Sequence, residues 1–190
     1  MNQAIEHYQR AWTLLERTAQ AVPPRSWDAP SPCRDWTARQ LAGHLVDGHR
    51  QVQAMLAGTG PLAPTSETAA LTDLAGEDPA AALQDAAARV RKVLAGLDPA
   101  VEVVTPRGPL MVEQLLGMAV IEPFIHGWDL AVATGQPGVL DPELAGTLLP
   151  AVVQLDGQLA ATGMYAPAVP LPDGAPAEAR LLAALGRQAG

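Results

Sequence analysis

The sequence predicts an all-α fold: a four-helix bundle with additional short helices and a long connecting loop. Three observations lead to this prediction. Apolar residues recur every three or four positions in most segments, which is the periodicity of amphipathic helices. Apolar residues make up 48% of the 190 residues, whereas aromatic residues make up only 4%. A β-sandwich would need more Val, Ile, Tyr and Phe, and the many alanines favour closely packed helices.

The first two helices are predicted from periodicity and from capping residues. Residues 2–22 carry the inner-face positions Ile5, Tyr8, Trp12, Leu15, Ala19 and Val22. The run VPPRSWDAPSPCRDW ends this helix because prolines cannot continue it. A second helix is expected to begin at Thr37, whose spacing to Gln40 is that of a capping box. Its inner face consists of Leu41, His44, Leu45, Gly48, Val52 and Met55.

Residues 58–78 are predicted to form a long loop, which at this length would be functional or mobile. Asp78 and Pro79 then have the positions of the N-cap and first residue of a third helix. The segment VEVVTPRGPLMV predicts a short extended pair around a turn.

A fourth helix is expected from about Val112 to Thr134, because Gly135 is a typical C-terminal signal. Asp141 begins a fifth helix, GMYAPAVPLPDGAP is expected to be a loop, and a short last helix carries the final leucines.

The length favours a single domain, residues 1–190, with residues 170–190 as a short C-terminal helical appendage. Cys33 is the single cysteine, so no intrachain disulfide is possible. This fits a reducing compartment, and we expect a cytoplasmic protein. The N-terminal residues lack the apolar core of a signal peptide, and Glu, Pro and His interrupt the longest apolar stretches. We therefore expect no segment that spans a bilayer.

The charge distribution narrows the class of partners. Acidic residues outnumber basic residues by 20 to 12, which gives a net charge of −8. Nucleic-acid-binding proteins usually carry a basic stripe, and anionic membranes attract clustered basic residues. The basic residues here are scattered. We expect small-molecule partners rather than nucleic acid or membrane, and we also consider a homodimer formed through an outer helix face.

The candidate chemistry lies on the inner stripe of the fourth predicted helix. Glu122 and His126 occupy this face at i, i+4 spacing, which places their Cβ atoms roughly 5–6 Å apart. A buried carboxylate is costly unless it is paired or bound to a cation. His44 lies on the inner stripe of the second helix, where helix packing can bring it beside this pair.

His44, Glu122 and His126 together offer two nitrogens and one carboxylate, a set that leaves one position open, as in catalytic zinc sites. Nickel, iron or manganese also accept such ligands. Two interpretations stay open from the residues alone. Glu122 and His126 can instead pair with each other without an ion, with His44 as an ordinary hydrogen-bonded core residue. Pro123 adds a local distortion, because it removes a helix hydrogen bond and disfavours the α region for Glu122.

Other residues are weaker candidates. Asp47 lies three residues after His44 and is a candidate base or ligand-orienting residue, although a surface or bundle-edge carboxylate is the simpler interpretation. Asp129 is expected to cap or to form an ion pair. Cys33 would react only with a lowered pKa. His49 is expected to be an exposed helix residue, with a fourth metal ligand as the alternative.

Two segments carry a resemblance to a known family. SPCRDWTARQLAGHLV and IEPFIHGWDLAVATGQ resemble the paired signatures of the DinB-like metal-binding superfamily. They are closest to the branch that includes the metal-binding domain of mycothiol-dependent maleylpyruvate isomerase. The resemblance implies a DinB-like four-helix bundle. It also implies that the family's ligand histidine corresponds to His44 and its acid-x-x-x-His pair to Glu122 and His126.

This resemblance also implies a function. We expect a divalent-metal-binding protein, with zinc the first choice, that acts as a thiol transferase or isomerase with mycothiol, bacillithiol or another low-molecular-weight thiol. A metal lowers the pKa of a coordinated thiol, and the resulting thiolate attacks a small electrophile. The alternatives are a non-catalytic metal-binding or stress-related module, and a metal-free helical interaction protein.

Overall fold

The computed structural model describes residues 2–155 and 165–188. The chain divides into two compact units, residues 1–137 and residues 138–190. The single domain expected from the sequence stays a prediction. Helices dominate both units, so the predicted all-α fold is confirmed.

The first unit is a helical bundle with one small hairpin. Its helices are α1 (Gln3–Gln20), α2 (Ala38–Leu56), α3 (Thr68–Ala75), α4 (Pro79–Leu94), α5 (Val112–Ala119) and α6 (Ile121–Ala133). A 3-10 turn covers Pro24–Asp28, and strands β1 (Glu102–Thr105) and β2 (Gly108–Met111) pair antiparallel, which confirms the predicted extended pair. α2 packs against α3, α4 and α6, while α1 packs against α4, α5 and α6. The bundle core therefore lies between α1, α2, α4 and the α5–α6 pair.

The helix starts follow the predicted capping residues. Thr37 accepts a hydrogen bond from the backbone N–H of Gln40, and the Gln40 side chain accepts one from the Thr37 N–H, so the capping box is confirmed. Asp78 caps α4 through the N–H of Ala81 at 3.0 Å. These bonds satisfy N–H groups that a helix leaves unpaired in its first turn.

The predicted fourth helix is present but divided at Val120 into α5 and α6, so the distortion expected beside Pro123 is confirmed. Pro123 has no N–H to offer the carbonyl of Ala119, and its ring crowds the preceding turn. The chain stays helical in direction, because Val120 has φ −61° and ψ −28° and its carbonyl accepts from the Phe124 N–H at 3.3 Å. Pro123 thus interrupts the hydrogen-bond ladder and leaves Glu122 in the first turn of α6.

The prediction of a continuous loop over residues 58–78 was wrong for the eight residues of α3. Leu71 and Ala75 of α3 are fully buried. α3 packs against α2 at Gly43, where a Cβ atom would lie 1.9 Å from the carbonyl oxygen of Leu71. The close approach of two backbones requires glycine there. Tertiary packing, which short-range periodicity does not report, stabilises this helix.

The second unit contains α7 (Pro142–Gln154) and α8 (Ala177–Ala184), which pack against each other. Asp141 caps α7 through the Leu144 N–H at 3.0 Å, as the sequence predicted. Leu181 and Leu185 are fully buried. The predicted loop over GMYAPAVPLPDGAP begins at two residues outside the described ranges, and its described part, 165–176, contains no helix or strand.

The α5–α6 stretch, Val112–Ala133, is long and apolar enough to cross a membrane by length and composition alone. However, 61% of the apolar 18-residue window within it is buried inside the fold, as is common for core helices. The signal is therefore weak, and the expectation of no membrane partner stays a prediction.

Candidate functional site

The three candidate ligands lie together where α2 faces α6. His44 Nε2 is 3.1 Å from Glu122 Oε2, and His126 Nε2 is 3.3 Å from the same oxygen. The rings of His44 and His126 meet edge to face, with centroids 5.2 Å apart. The side chains of His44 and Glu122 are 26% and 33% exposed, and that of His126 only 9%. The cluster thus has a buried side at His126 and a side open to solvent.

Both imidazoles face one carboxylate oxygen, and this sets the electrostatics of Glu122. Burial by itself would raise the pKa of Glu122. Hydrogen bonds from His126 and His44, together with their positive charge, outweigh burial and hold the pKa well below its ordinary value. Glu122 is therefore ionised at neutral pH, as a metal-ligating carboxylate must be.

His126 is held by a second carboxylate on its other nitrogen. Asp129, fully buried on the next turn of α6, lies with Oδ2 2.8 Å from His126 Nδ1. Burial lowers the pKa of His126, but hydrogen bonds with Asp129, Cys33 and Glu122 raise it well above its ordinary value. With a proton on each ring nitrogen, His126 donates to Asp129 through Nδ1 and to Glu122 through Nε2. A cation at Nε2 would replace one of these protons while Nδ1–H still donates to Asp129.

Cys33 completes the surroundings of this histidine. Its Sγ is 3.4 Å from Asp129 Oδ2 and 3.6 Å from His126 Nδ1. The loop before α2 delivers it: the Ser31 N–H donates to the Trp36 carbonyl, and Asp35 adopts a left-handed backbone with φ 67°. The same loop places the Trp36 ring 4.8 Å from the His44 ring. The first signature segment therefore makes three contacts at this site: Cys33 lies against Asp129 and His126, and Trp36 lies against His44.

The donor atoms fit a divalent cation. Cation-to-ligand bonds of about 2.0–2.1 Å in a tetrahedral site place neighbouring ligand atoms about 3.3–3.4 Å apart. The two nitrogen-to-oxygen distances, 3.1 and 3.3 Å, are close to that spacing. The ligand atoms of all three residues lie within 4.8 Å of one another. The same distances also fit direct hydrogen bonds, so the metal-free pairing considered from the sequence matches this arrangement as well.

Asp47, the weak catalytic candidate, makes contacts elsewhere. Its Oδ2 accepts from Gln51 Nε2 at 2.7 Å and from the Thr65 N–H at 2.9 Å, and its Oδ1 accepts from Thr65 Oγ1 at 3.1 Å. It is 6% exposed. Both carboxylate oxygens thus anchor the segment before α3 to α2, which favours a structural role.

The expectation that His49 is exposed was wrong, because it is 3% exposed inside the bundle. Its Nδ1 is 2.6 Å from Tyr8 Oη, and its ring packs on Trp12 with centroids 3.7 Å apart. Burial, and then the positive charges of Arg91 and Arg89, lower the pKa of His49 to about 3. The ring is therefore neutral at physiological pH and distinct from the ligand cluster.

The expectation that Asp129 forms an ion pair is confirmed, with His126 as the partner that sequence reasoning did not name. The contact of Cys33 with His126 was missed. The i, i+3 spacing of His126 and Asp129 is visible in the sequence and was a usable signal. The position of Cys33 was not, because 93 residues separate it from His126. Tyr8 and Trp12 were correctly placed on the inner face of the first helix, but their contact with His49 required the packed bundle.

Comparisons with known proteins agree with this fold. The model of the mycothiol maleylpyruvate isomerase N-terminal domain family matches residues 8–131, a range that contains the whole candidate site. Two uncharacterized proteins of Mycobacterium tuberculosis, from strains CDC 1551 / Oshkosh and ATCC 25618 / H37Rv, are each 32% identical over 185 residues. Those residues are 95% of this chain and 95% of each relative.

Solved structures show the same fold. The crystal structure of the mycothiol-dependent maleylpyruvate isomerase superposes with a TM-score of 0.73, and that of a histidine-to-alanine mutant with 0.70. Each match has 18% sequence identity and covers 98% of this chain and 89% of the other. The chain therefore belongs to the mycothiol maleylpyruvate isomerase N-terminal domain family.

Proposed function

We propose that this protein binds a divalent metal ion through His44, Glu122 and His126, and uses it to activate a low-molecular-weight thiol toward a small electrophile. The observation that carries the proposal is the convergence of two imidazole nitrogens on one carboxylate oxygen at 3.1 and 3.3 Å. Zinc is the first choice, because two nitrogens and one carboxylate with an open position are its catalytic ligand pattern.

The thiol is proposed to be mycothiol. Family membership supports this choice, since the solved relative is a mycothiol-dependent isomerase. The bound metal and thiol would supply a nucleophilic sulfur at neutral pH, because a coordinated thiol loses its proton readily. Whether the reaction is a transfer or an isomerisation depends on the electrophile, and the assay below distinguishes the two.

The residues of this chain have separable tasks in the proposal. Glu122 supplies the negative charge that a divalent cation requires. Asp129 keeps the Nδ1 proton of His126 and so directs Nε2 toward the cation, as carboxylates behind metal-bound histidines commonly do. Trp36 packs against the His44 ring from the first signature loop, with ring centroids 4.8 Å apart. The exposed fraction of His44 and Glu122 leaves an approach for thiol and electrophile.

The proposal is tested with cobalt(II) as a spectroscopic substitute for zinc. Addition of mycothiol to the cobalt-loaded protein is expected to produce a sulfur-to-cobalt charge-transfer band. The zinc-loaded protein is expected either to consume mycothiol with an alkyl halide or an epoxide, or to convert a cis-enone to its trans isomer with mycothiol regenerated. Glu122→Gln should lose both signals. Glu102→Gln, an exposed carboxylate of β1, is the matched control and should keep them.

Two outcomes would contradict parts of the proposal. Full metal occupancy with no charge-transfer band and no turnover would favour the non-catalytic metal-binding module. Zinc binding that is equally tight in the wild type and in Glu122→Gln would exclude Glu122 as a ligand, and with it the proposed ligand set.

A further inference from the structure

A pocket lies directly beside the candidate ligand set, between α1, α2 and the α5–α6 junction. His44 and Glu122 form part of its wall. The rest of the lining includes Trp12, Tyr8, Gly48 and His49. Its cavity volume is about 50 Å³, and the empty space reaches about 300 Å³ once the open mouth is included. The cavity has room for one end of a small molecule, whose remainder would lie in the mouth, rather than for a whole thiol cofactor.

Trp12, one of the residues that line the pocket, carries a hydrogen-bond donor without a partner among the described residues. The indole Nε1–H of Trp12 is buried and has no hydrogen-bond partner among the residues that the structure describes. Trp12 itself is 2% exposed. The Tyr8 hydroxyl is its polar neighbour, but the two form no hydrogen bond of acceptable geometry. An unpaired buried donor is unfavourable, so a group that accepts a hydrogen bond from it is stabilised there.

Apart from the candidate ligands, the pocket wall carries no ionised side chain at neutral pH. Burial raises the pKa of Tyr8, and burial with two nearby arginines lowers that of His49 to about 3. The remaining lining residues, such as Leu45 and Val52, are apolar. Apart from the candidate ligands, no described residue that lines the pocket is cationic, and Arg89 and Arg91 act on it only from outside the lining. In the metal-free chain a buried carboxylate would therefore be poorly compensated, which is costly. A hydroxyl-rich thiol would bury more polar groups than the few polar side chains of the wall can pair.

Gly48 leaves part of this space open. Gly48 belongs to α2 and lines the pocket. A Cβ atom built on it would contact nothing within 4 Å. Its backbone is ordinary helix, so any larger residue can occupy the position without backbone strain. Because Gly48 lines the pocket and its Cβ position is open, we expect a larger side chain there to occupy part of the pocket.

We propose that this pocket binds the uncharged, apolar end of the electrophile, and that a carbonyl or ether oxygen of that end accepts a hydrogen bond from Trp12 Nε1–H. The compound class is a small neutral ketone, enone or epoxide. Its role as the electrophile rests on the proposed function, whereas its binding to the pocket needs no metal.

The test is NMR of the indole N–H groups in the full chain without metal. The chain has four tryptophans, so four indole signals are expected, and Trp12→Phe assigns one of them to Trp12. Cyclohexanone, an unreactive neutral ketone, is expected to shift the Trp12 signal in a saturable manner. Cyclohexanecarboxylate, with the same ring and a negative charge, is expected to need at least tenfold more ligand.

Gly48→Leu should abolish the shift because the side chain fills the pocket. Gly117→Leu is the matched control, since Gly117 lies on the exposed side of α5 with open space around it. It should retain the shift. The other three indole signals report whether Gly48→Leu remains folded. If it does not, Gly48→Ala, which adds one methyl group, should raise the dissociation constant for cyclohexanone severalfold.

A Trp12 signal that stays unmoved by cyclohexanone would overturn the inference. So would unaltered binding in Gly48→Leu, or carboxylate binding as tight as that of the ketone. Zinc affinity is measured separately on the same protein. A chain that binds cyclohexanone but not zinc would remove the proposed function and retain the pocket, and the reverse result would remove only the pocket.

Discussion

His126 and His49 are both buried in one bundle, 7% and 3% exposed, but their surroundings are opposite. His126 lies between the carboxylates of Asp129 and Glu122. His49 lies between Tyr8 and Trp12, with arginines as the nearest charges. Burial lowers the pKa of both rings. The carboxylates reverse this effect for His126, and the arginines add to it for His49.

This comparison shows that burial alone does not decide what a histidine does. The His126 surroundings attract positive charge, whether a proton or a metal ion. The His49 surroundings exclude charge and form the wall of a neutral pocket. α2 connects the two regions, because His44 and His49 are five residues apart on that helix. A charged ligand set and an uncharged pocket thus lie side by side, as chemistry between an activated thiol and a neutral electrophile would require.

The largest expected effect comes from the protonation of His49. Its pKa is about 3 in the folded state and about 6.5 when unfolded. Between these values only the unfolded state binds the proton, so the free energy of unfolding falls as pH falls from 6.5 toward 3. The loss from this residue is about 3 kcal/mol between pH 7 and pH 4. Urea unfolding of the wild type and His49→Gln at both pH values measures it.

In His49→Gln the pH dependence should be smaller by that amount, whatever the stability of the variant at pH 7. Equal pH dependence in the two proteins would mean that His49 is not neutral in the fold, and the contrast with His126 would fail.

The second effect is removal of a ligand from the candidate metal set. Because Glu122 supplies the negative charge, Glu122→Gln is expected to weaken zinc binding by at least about a hundredfold, or about 2.7 kcal/mol. His49→Gln should leave zinc affinity unchanged. Competition with a chromophoric zinc chelator measures both constants. A comparable loss in the two variants would indicate that the two regions are not separate.

The third effect concerns the carboxylate behind His126. Asp129→Asn keeps the shape of the side chain but offers a neutral acceptor to Nδ1–H. We expect about a tenfold loss of zinc affinity, the lower end of the range typical for partners of metal-bound histidines. Cyclohexanone binding should not change. An unaltered zinc affinity would show that Asp129 does not direct the ring, whereas loss of ketone binding would indicate a general disturbance of the bundle.

The smallest effect is expected at Asp47, which lies on α2 between His44 and His49. Asp47→Asn keeps one acceptor oxygen for the Thr65 N–H and offers an amide donor to Thr65 Oγ1, but it loses the charge that strengthens these bonds. We therefore expect a loss of about 1 kcal/mol in the free energy of unfolding. Zinc and cyclohexanone affinities should remain at wild-type values. Calorimetry measures the stability and the two affinities. A large loss of zinc affinity here would restore Asp47 as a functional residue.

The sequence by itself determined the local features of this protein. The capping residues Thr37, Asp78 and Asp141 begin helices where predicted. Glu122 and His126 share a helix face because a helix brings residues four apart together. Such features depend on bonds between near neighbours, and a short stretch of sequence contains both partners.

Only the tertiary structure decided which distant residues meet. His44 contacts Glu122 across 78 residues, and Cys33 reaches Asp129 across 96. The Trp12 N–H, unpaired among the described residues, and the contact of α3 with Gly43 likewise depend on how helices pack. Packing sets these distances through the combined shape of many side chains. For that reason periodicity can place a residue on an inner face, but the assembled bundle decides what it touches there.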